Sequence, residues 1–226
     1  MKKIILATTL ILVLILIFVF SIIINFKNET KSNPAIPQEK EQESLDQNTK
    51  EEKTNIPVVI NIPLDNALAR ITKKPFGIKV SPSNSPVTPE KFSGFHTGTD
   101  FEIFESEKEQ DVQVRAICDG EIIQKTSVGG YGGVIIQKCQ HENNSVLVLY
   151  GHILLDSSTQ EKEVKKGDFL ALLSPANSPQ SGYERKHLHL GIIKGEKIDY
   201  HGYVQTEKEL SNWIDSEIIL QKELRN

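Results

Sequence analysis

Basic residues are too few in this sequence for a typical nucleic-acid-binding protein. The 226 residues include 26 Lys and Arg against 30 Asp and Glu, which gives a formal net charge of −4. Proteins that bind nucleic acids need a basic face to neutralise the phosphates. The sequence also lacks any arginine-rich stretch or basic run interleaved with aromatic residues. We therefore predict no nucleic-acid partner.

Charged residues are missing from a long stretch near the N-terminus. The run from Ile4 to Ile24 is apolar except for three hydroxyl residues, and as a helix it would span about 30 Å, the thickness of a bilayer core. It has neither a small-x-small cleavage pattern nor a cysteine for lipidation. We interpret residues 1–26 as an uncleaved transmembrane signal anchor, with a removed signal peptide as the alternative. Lys2 and Lys3 favour an extracytoplasmic C-terminal domain and a cell-membrane location.

Large apolar residues are nearly absent from residues 27–55, which consist mainly of Asn, Glu, Lys, Gln, Ser and Pro. Such a segment cannot bury enough apolar surface to offset the entropy of ordering, so we predict a disordered linker. The folded domain is then expected over residues 56–226.

The folded domain has many strand-like patterns and one helical pattern. Short runs rich in Val and Ile, bounded by turn residues, predict strands at 58–62, 112–117, 120–126, 133–139, 145–150, 169–173 and 187–193. The glycine-dense segment from Ser127 to Gly133 predicts a hairpin turn. One C-terminal helix is predicted at about 207–223, starting with a capping box of Thr206 and Glu209. The fold class is all-β with a terminal helix.

Two short motifs combine residues that can bind a metal ion. His96 and Asp100 form a His-x-x-x-Asp motif, and His187 and His189 form a His-x-His motif. Because strand side chains alternate, the last two histidines should share a face and the intervening leucine should point into the core. A catalytic zinc site uses three protein ligands and an open fourth position. His96, Asp100 and one histidine of the pair would supply three, which leaves the other histidine, and His152, for proton transfer.

The order of six motifs along this sequence resembles that in the lysostaphin-like, LytM-type murein metalloendopeptidases. The matching pieces, spread between about Lys74 and Ile193, are His96 to Asp100, Val114 to Gly120, Gly130 to Gly132, Tyr150 to His152, Val164 to Asp168, and His187 to His189. The resemblance implies an antiparallel β-sheet core with a groove, of the barrel-sandwich-hybrid kind. It also implies one zinc ion held at the positions of His96, Asp100 and His189.

The resemblance also implies roles for two further histidines. His187 would be the general base for the attacking water, and His152 would orient that water or stabilise the developing oxyanion. The expected function is zinc-dependent hydrolysis of peptide bonds in peptidoglycan, with the bond that is cut left open. The alternatives are a non-catalytic regulator of cell-wall amidases on the same fold and a wall-binding module with structural zinc. Since all five positions are filled, activity is favoured.

One segment departs from the family pattern. Residues 174–186 replace the usual Gly-x-Thr-Gly turn before the His-x-His motif, and we expect this segment to form a wall of the groove. Arg185 or Lys186 would either hold a substrate carboxylate or belong to a solvated charge run.

For two cysteines and one tyrosine the sequence allows two interpretations each, and for two histidines it suggests no function. Cys118 and Cys139 flank the predicted hairpin and are either a disulfide, as expected outside the cytoplasm, or two buried apolar residues. Tyr150, two residues before His152 and expected on the same strand face, is either a core residue or a hydroxyl that faces substrate. His141 and His201 belong to no motif and are predicted to be surface residues. An inhibitory role for the segment from Pro57 to Lys79 and the oligomeric state stay open.

Overall fold

A computed structural model describes residues 62–223 of the chain. The predicted anchor at 1–26, the predicted linker at 27–55 and all but the last residue of the predicted strand at 58–62 lie outside the described residues. Ile62 itself lies in a bend. No helix within residues 62–223 is long and apolar enough to cross a membrane.

The described residues form twelve short strands, two short α-helices and four 3₁₀ turns. The strands are β1 (Lys79–Val80), β2 (Gly94–His96), β3 (Gly98–Glu102), β4 (Gln113–Arg115), β5 (Gly120–Val128), β6 (Gly132–His141), β7 (Asn144–Leu154), β8 (Glu163–Val164), β9 (Phe169–Leu173), β10 (His187–Lys194), β11 (Tyr203–Val204) and β12 (Trp213–Ile214). The helices are α1 (Glu207–Leu210) and α2 (Ser216–Glu223), and the 3₁₀ turns lie at Ala67–Arg70, Glu105–Glu107, Leu155–Ser157 and Pro179–Ser181. The all-β class and the six predicted strands within this range are confirmed.

All strand pairings among the described residues are antiparallel, and they form two sheets. The larger sheet has nine strands, with β12, β10, β7, β6, β5 and β8 side by side; β3 pairs with β10, and β9 pairs with β7 and β4. The smaller sheet has the order β1, β2, β11. The predicted hairpin is present, because β5 and β6 pair up to Val128 and Gly132 across the glycine turn.

The central strand β7 is buried on both faces. Val146, Val148 and Tyr150 belong to the larger apolar core, whereas Leu147 and Leu149 pack into the smaller one. The Tyr150 hydroxyl donates to Gln137 Oε1 at 2.7 Å and accepts from the Ile117 N–H at 3.0 Å. Tyr150 is therefore a core residue with a satisfied hydroxyl and does not face substrate.

The prediction of one helix over residues 207–223 is wrong. The capping box of Thr206 and Glu209 begins α1 as expected, but β12 interrupts the helical pattern before α2. Because β3 pairs only with the first part of β10, the backbone at Ile192 and Ile193 has room for a further partner, and β12 pairs there. An unpaired buried backbone group is costly, so this edge pairing outweighs the helical periodicity of the side chains.

The structure joins Cys118 to Cys139 in a disulfide, with a Cα–Cα distance of 6.2 Å. Cys118 lies just before β5, and Cys139 lies in β6 directly opposite Gly120. The bridge therefore ties the base of the β5–β6 hairpin to the edge of the larger core.

Candidate metal centre and cleft

Three of the predicted site residues meet where the two sheets adjoin. His96 ends β2 in the smaller sheet, and Asp100 lies in β3 of the larger sheet only four residues later. His189 lies in β10 directly opposite Asp100 in the antiparallel register. Since residues that face each other across a strand pair have adjacent side chains, the register alone brings Asp100 and His189 together.

The donor atoms of these residues form a nearly equilateral triangle. His96 Nε2 lies 3.0 Å from His189 Nδ1 and 3.3 Å from Asp100 Oδ1, and His189 Nδ1 lies 3.1 Å from the same oxygen. Zn–N and Zn–O distances of about 2.0–2.1 Å at tetrahedral angles would separate two ligand atoms by about 3.3 Å. All three side chains are buried. The donor set and its spacing therefore fit a zinc ion with three protein ligands.

The remaining polar atom of each residue is held by a neighbour. His96 Nδ1 lies 3.2 Å from the Pro75 carbonyl, and His189 Nε2 lies 3.1 Å from the Tyr131 hydroxyl. Asp100 Oδ2 accepts from Arg185 Nη2 at 2.8 Å. Partners of this kind fix the tautomer and orientation of metal-ligating side chains.

Gly98 leaves the space that His189 occupies. A Cβ atom at this position would lie 2.5 Å from His189 Nε2 and 2.7 Å from the Leu190 carbonyl oxygen. The glycine inside the His-x-x-x-Asp motif is thus required by the close approach of β3 to the imidazole.

The pKa of the Asp100 carboxyl and the pKa of the His189 imidazole are both lowered in this site. Burial alone would raise the pKa of Asp100, but His96, His187 and Arg185 outweigh this effect and hold the pKa well below its usual value. Burial lowers the pKa of His189 to about 4, against the attraction of Asp100. A neutral imidazole and a carboxylate are the forms that bind a metal ion.

His187 lies beside this triangle on the same face of β10 as His189. Leu188 and Leu190 point the other way into the larger core, so the predicted alternation is confirmed. His187 Nδ1 donates to the Arg185 carbonyl at 2.8 Å, so Nε2 is the ring nitrogen left for other contacts. This Nε2 lies 3.4 Å from Asp100 Oδ2.

His152 reaches the same cleft through a β-bulge. Between β6 and β7, Gly133 pairs with Ile153 and Val134 pairs with Gly151, so His152 is the extra residue, with φ at 62°. Regular alternation would put it on the core face with Tyr150, and that expectation is wrong because the bulge reverses the face.

The His152 ring is held as a neutral acceptor. Its Nδ1 donates to the Ser181 carbonyl at 2.9 Å, and its ring centroid lies 4.2 Å from that of His187. Burial and the neighbouring His187 hold the pKa of His152 well below its usual value. Nε2 of His152 therefore presents a lone pair at neutral pH.

These side chains line an open cleft of about 300 Å³. The glycine turn before β6, the end of the 174–186 segment and the chain around His201 form its walls, so the prediction for 174–186 holds for Glu184 and Arg185 at its end. His201 is exposed, as expected, but it lies at this cleft; His141 is half-buried and is not among the lining residues.

Arg185 and Lys186 are not a solvated charge run. Arg185 pairs with Asp100 and Glu102. The buried Lys186 donates from Nζ to three backbone carbonyls, which lie at the end of the Glu105–Glu107 turn and in the loop that follows it. Lys186 therefore anchors a loop and is committed to the fold.

Sequence reasoning missed three residues beside the site. Tyr131 was visible in the Gly-Tyr-Gly motif, but nothing in the sequence indicates that its hydroxyl meets His189. Lys74 donates to the Tyr203 hydroxyl at 2.8 Å and pairs with Glu90 at 2.5 Å. The pairing of Lys74 with Tyr203 spans 129 residues and has no sequence signal.

Comparison with known proteins identifies the region that contains the cleft. Residues 94–200 match the model of peptidase family M23, and this range includes all five predicted site residues. No curated protein sequence gives a match.

Several solved structures are similar to the chain. A structure of LytU is 18% identical over 68% of this chain and 85% of its own, with a TM-score of 0.44. Lysostaphin from Staphylococcus simulans is 18% identical over 69% of this chain and 51% of its own, with a TM-score of 0.42. A putative glycyl-glycine endopeptidase LytM from Ruminococcus gnavus ATCC 29149 is 27% identical over 47% of this chain and 42% of its own, with a TM-score of 0.36.

Proposed function

We propose that this chain, whose residues 94–200 match the model of peptidase family M23, is a zinc-dependent endopeptidase that hydrolyses peptide bonds in peptidoglycan. The observation that supports this most directly is the convergence of two kinds of group on one cleft. His96, Asp100 and His189 present a set of three metal ligands. His152 and His187 lie beside it, and each ring commits its Nδ1 to a backbone carbonyl, which leaves Nε2 for water or substrate. A purely structural zinc site would be closed by a fourth protein ligand and would not need flanking acceptors.

We assign the proton acceptor to His187. When bound, a zinc ion lowers the pKa of a coordinated water and polarises a carbonyl oxygen. The neutral form of His187, with Nδ1–H committed to the Arg185 carbonyl, would take up the proton at Nε2. Asp100 Oδ2 at 3.4 Å would stabilise the imidazolium that forms. The same imidazolium can then return the proton to the leaving amine, as a general acid.

His152 is better suited to orienting water than to donating a proton. Its Nδ1 hydrogen is committed to the Ser181 carbonyl, and its depressed pKa keeps Nε2 unprotonated at neutral pH. A lone pair at Nε2 can accept a hydrogen bond from water and fix its direction. An oxyanion, by contrast, needs a donor, so this geometry disfavours the oxyanion role.

We also propose that the predicted anchor at residues 1–26 holds this domain on the outer face of the cell membrane. The disulfide between Cys118 and Cys139 supports an oxidising compartment. The test is digestion of intact spheroplasts with an external protease: loss of the full-length protein supports the outer location, and its protection contradicts it.

The activity is tested by mass spectrometry of peptides released from purified peptidoglycan by the full-length protein in mild detergent. We expect release that stops when a zinc chelator is added and is absent in His187→Ala. A matched control is His141→Ala, since this histidine does not line the cleft; it should release peptides at the wild-type rate. Absence of cleaved peptides from several wall types, with zinc present in the protein, would contradict an endopeptidase and favour a wall-associated regulator.

A further inference from the structure

Arg185 joins the proposed metal ligand Asp100 to a second buried carboxylate. Its Nη2 donates to Asp100 Oδ2 at 2.8 Å and to Glu102 Oε1 at 2.5 Å. Its Nε lies 3.0 Å from each carboxylate oxygen of Glu102. The side chain of Arg185 is 22% exposed, whereas those of Asp100 and Glu102 are 3% and 10% exposed. The guanidinium thus closes one side of the cleft above two buried carboxylates.

The antiparallel register explains why these three residues meet. Asp100 and Glu102 are two residues apart in β3 and so share a face, opposite His189 and His187 of β10. Arg185 precedes His187 by two residues, so its side chain continues the same row of side chains past the end of β10. The planar fork of arginine offers donors on separate nitrogens in fixed directions, here Nε and Nη2, whereas lysine offers one donor atom at the end of a flexible stem.

The two oxygens of Asp100 consequently have different neighbours. Oδ1 faces His96 Nε2 and His189 Nδ1, at 3.3 and 3.1 Å, whereas Oδ2 is taken by Arg185. We propose that Arg185, braced by Glu102, is a positioning residue that holds Asp100 so that Oδ1 alone is presented to the metal ion. This inference rests on the proposed zinc site and deepens it.

Considered by charge alone, Arg185 would weaken metal binding rather than strengthen it. A guanidinium next to a ligand repels a divalent cation, so simple removal of the arginine mixes lost positioning with a gain in attraction. Glu102 offsets that charge, because the arginine and the glutamate together are neutral. Replacing both residues with methionine therefore removes the brace and leaves the net charge of the site unchanged.

The test measures zinc affinity by competition with a chromophoric chelator, with no substrate present. The full-length double variant Arg185→Met/Glu102→Met is compared with wild type. The matched control is Lys91→Met/Glu184→Met, which removes a neighbouring ion pair of 2.7 Å that does not touch Asp100. We expect the first double variant to bind zinc about 10- to 100-fold more weakly, as is typical when a partner of a metal ligand is lost. The control should stay within about twofold of wild type.

Two further measurements separate positioning from damage to the fold. Arg185→Lys keeps the charge and the folded chain but loses the fork, so it should weaken zinc binding by a smaller factor. In the cobalt-substituted protein, we expect the visible spectrum to change in the double variant, because Asp100 can then bind through both oxygens and alter the coordination geometry. The control variant should keep the wild-type spectrum.

The outcomes are distinct. Zinc affinity within twofold of wild type in Arg185→Met/Glu102→Met, or an equal loss in the control, would overturn the inference. Weaker zinc binding in that variant supports the inference about Arg185, whether or not the wild-type protein cleaves peptidoglycan. A wild-type protein that binds zinc but cleaves no peptidoglycan would contradict only the proposed function. A wild-type protein that binds no zinc would overturn both.

Discussion

Acidification of the metal-free protein should remove stability through His189, and the magnitude can be worked out from the site. Burial lowers the pKa of this imidazole from 6.5 to about 4 in the folded chain, while the unfolded chain keeps the ordinary value. Between these pH values the unfolded state binds more protons than the folded state. The part of the folding stability that is linked to His189 is therefore fully present above about pH 6.5 and is lost as the pH falls towards 4. The gap corresponds to about 3 kcal/mol, a large fraction of the 5–15 kcal/mol of a typical domain.

The assay is urea unfolding at pH 7.5 and 4.5, with a chelator present, for the wild type and for His189→Gln. Glutamine cannot titrate, so the variant should lose less stability between these two pH values, by most of that ~3 kcal/mol. The depressed pKa of Asp100 acts in a lower window, below its usual value of 3.8, and does not interfere. An NMR titration of the wild-type imidazole is a direct check. Equal losses in the two proteins, or titration of His189 near 6.5, would refute the reasoning.

Three further predictions concern the cleft. His187→Ala should reduce peptide release by about 10²- to 10⁴-fold while zinc stays bound, whereas His189→Ala should lose both peptide release and zinc. Metal analysis and mass spectrometry of released peptides measure the two effects, and full activity in His187→Ala would contradict its role. Tyr131→Phe removes the partner of His189 Nε2 and should weaken zinc binding at least about tenfold in a chelator competition; unchanged affinity would contradict the orienting role. Gly98→Ala should lower both Tm and zinc affinity because of the 2.5 Å contact, whereas Gly129→Ala, with nothing within 4 Å, should change neither.

Local regularities predicted part of the ligand set, and the choice of His189 over His187 came from the resemblance to a known family. His187 and His189 share a face of β10 through strand alternation, and Asp100 meets His189 through the register of two adjacent strands. Four residues separate His96 from Asp100, and that is enough for the chain to pass from the smaller sheet to the larger one. The alternation within β10 is local, but the pairing of Asp100 with His189 joins residues 89 positions apart and is known only from the structure.

Two errors came from backbone pairing that the residues do not reveal. The bulge at His152 reverses the face of one residue, and it depends on how β6 pairs with β7. The helix predicted at 207–223 is interrupted because residues 213–214 pair with the edge of β10. In both places the side-chain pattern is compatible with the wrong answer, and the deciding hydrogen bonds come from another strand.

The role of Arg185 could not be predicted from the sequence alone, but it follows once one pair of strands is known. A sequence alone shows a cation before the His-x-His motif and leaves open whether it faces solvent or substrate. Once Asp100 and His189 are paired, alternation requires Glu102 to face the same side, where a buried carboxylate needs a partner. Arg185 is the cation that reaches this side, because it continues the row of His189 and His187 two residues before β10 begins. One correct cross-strand pair therefore places Asp100, Glu102 and Arg185 in one row of neighbours.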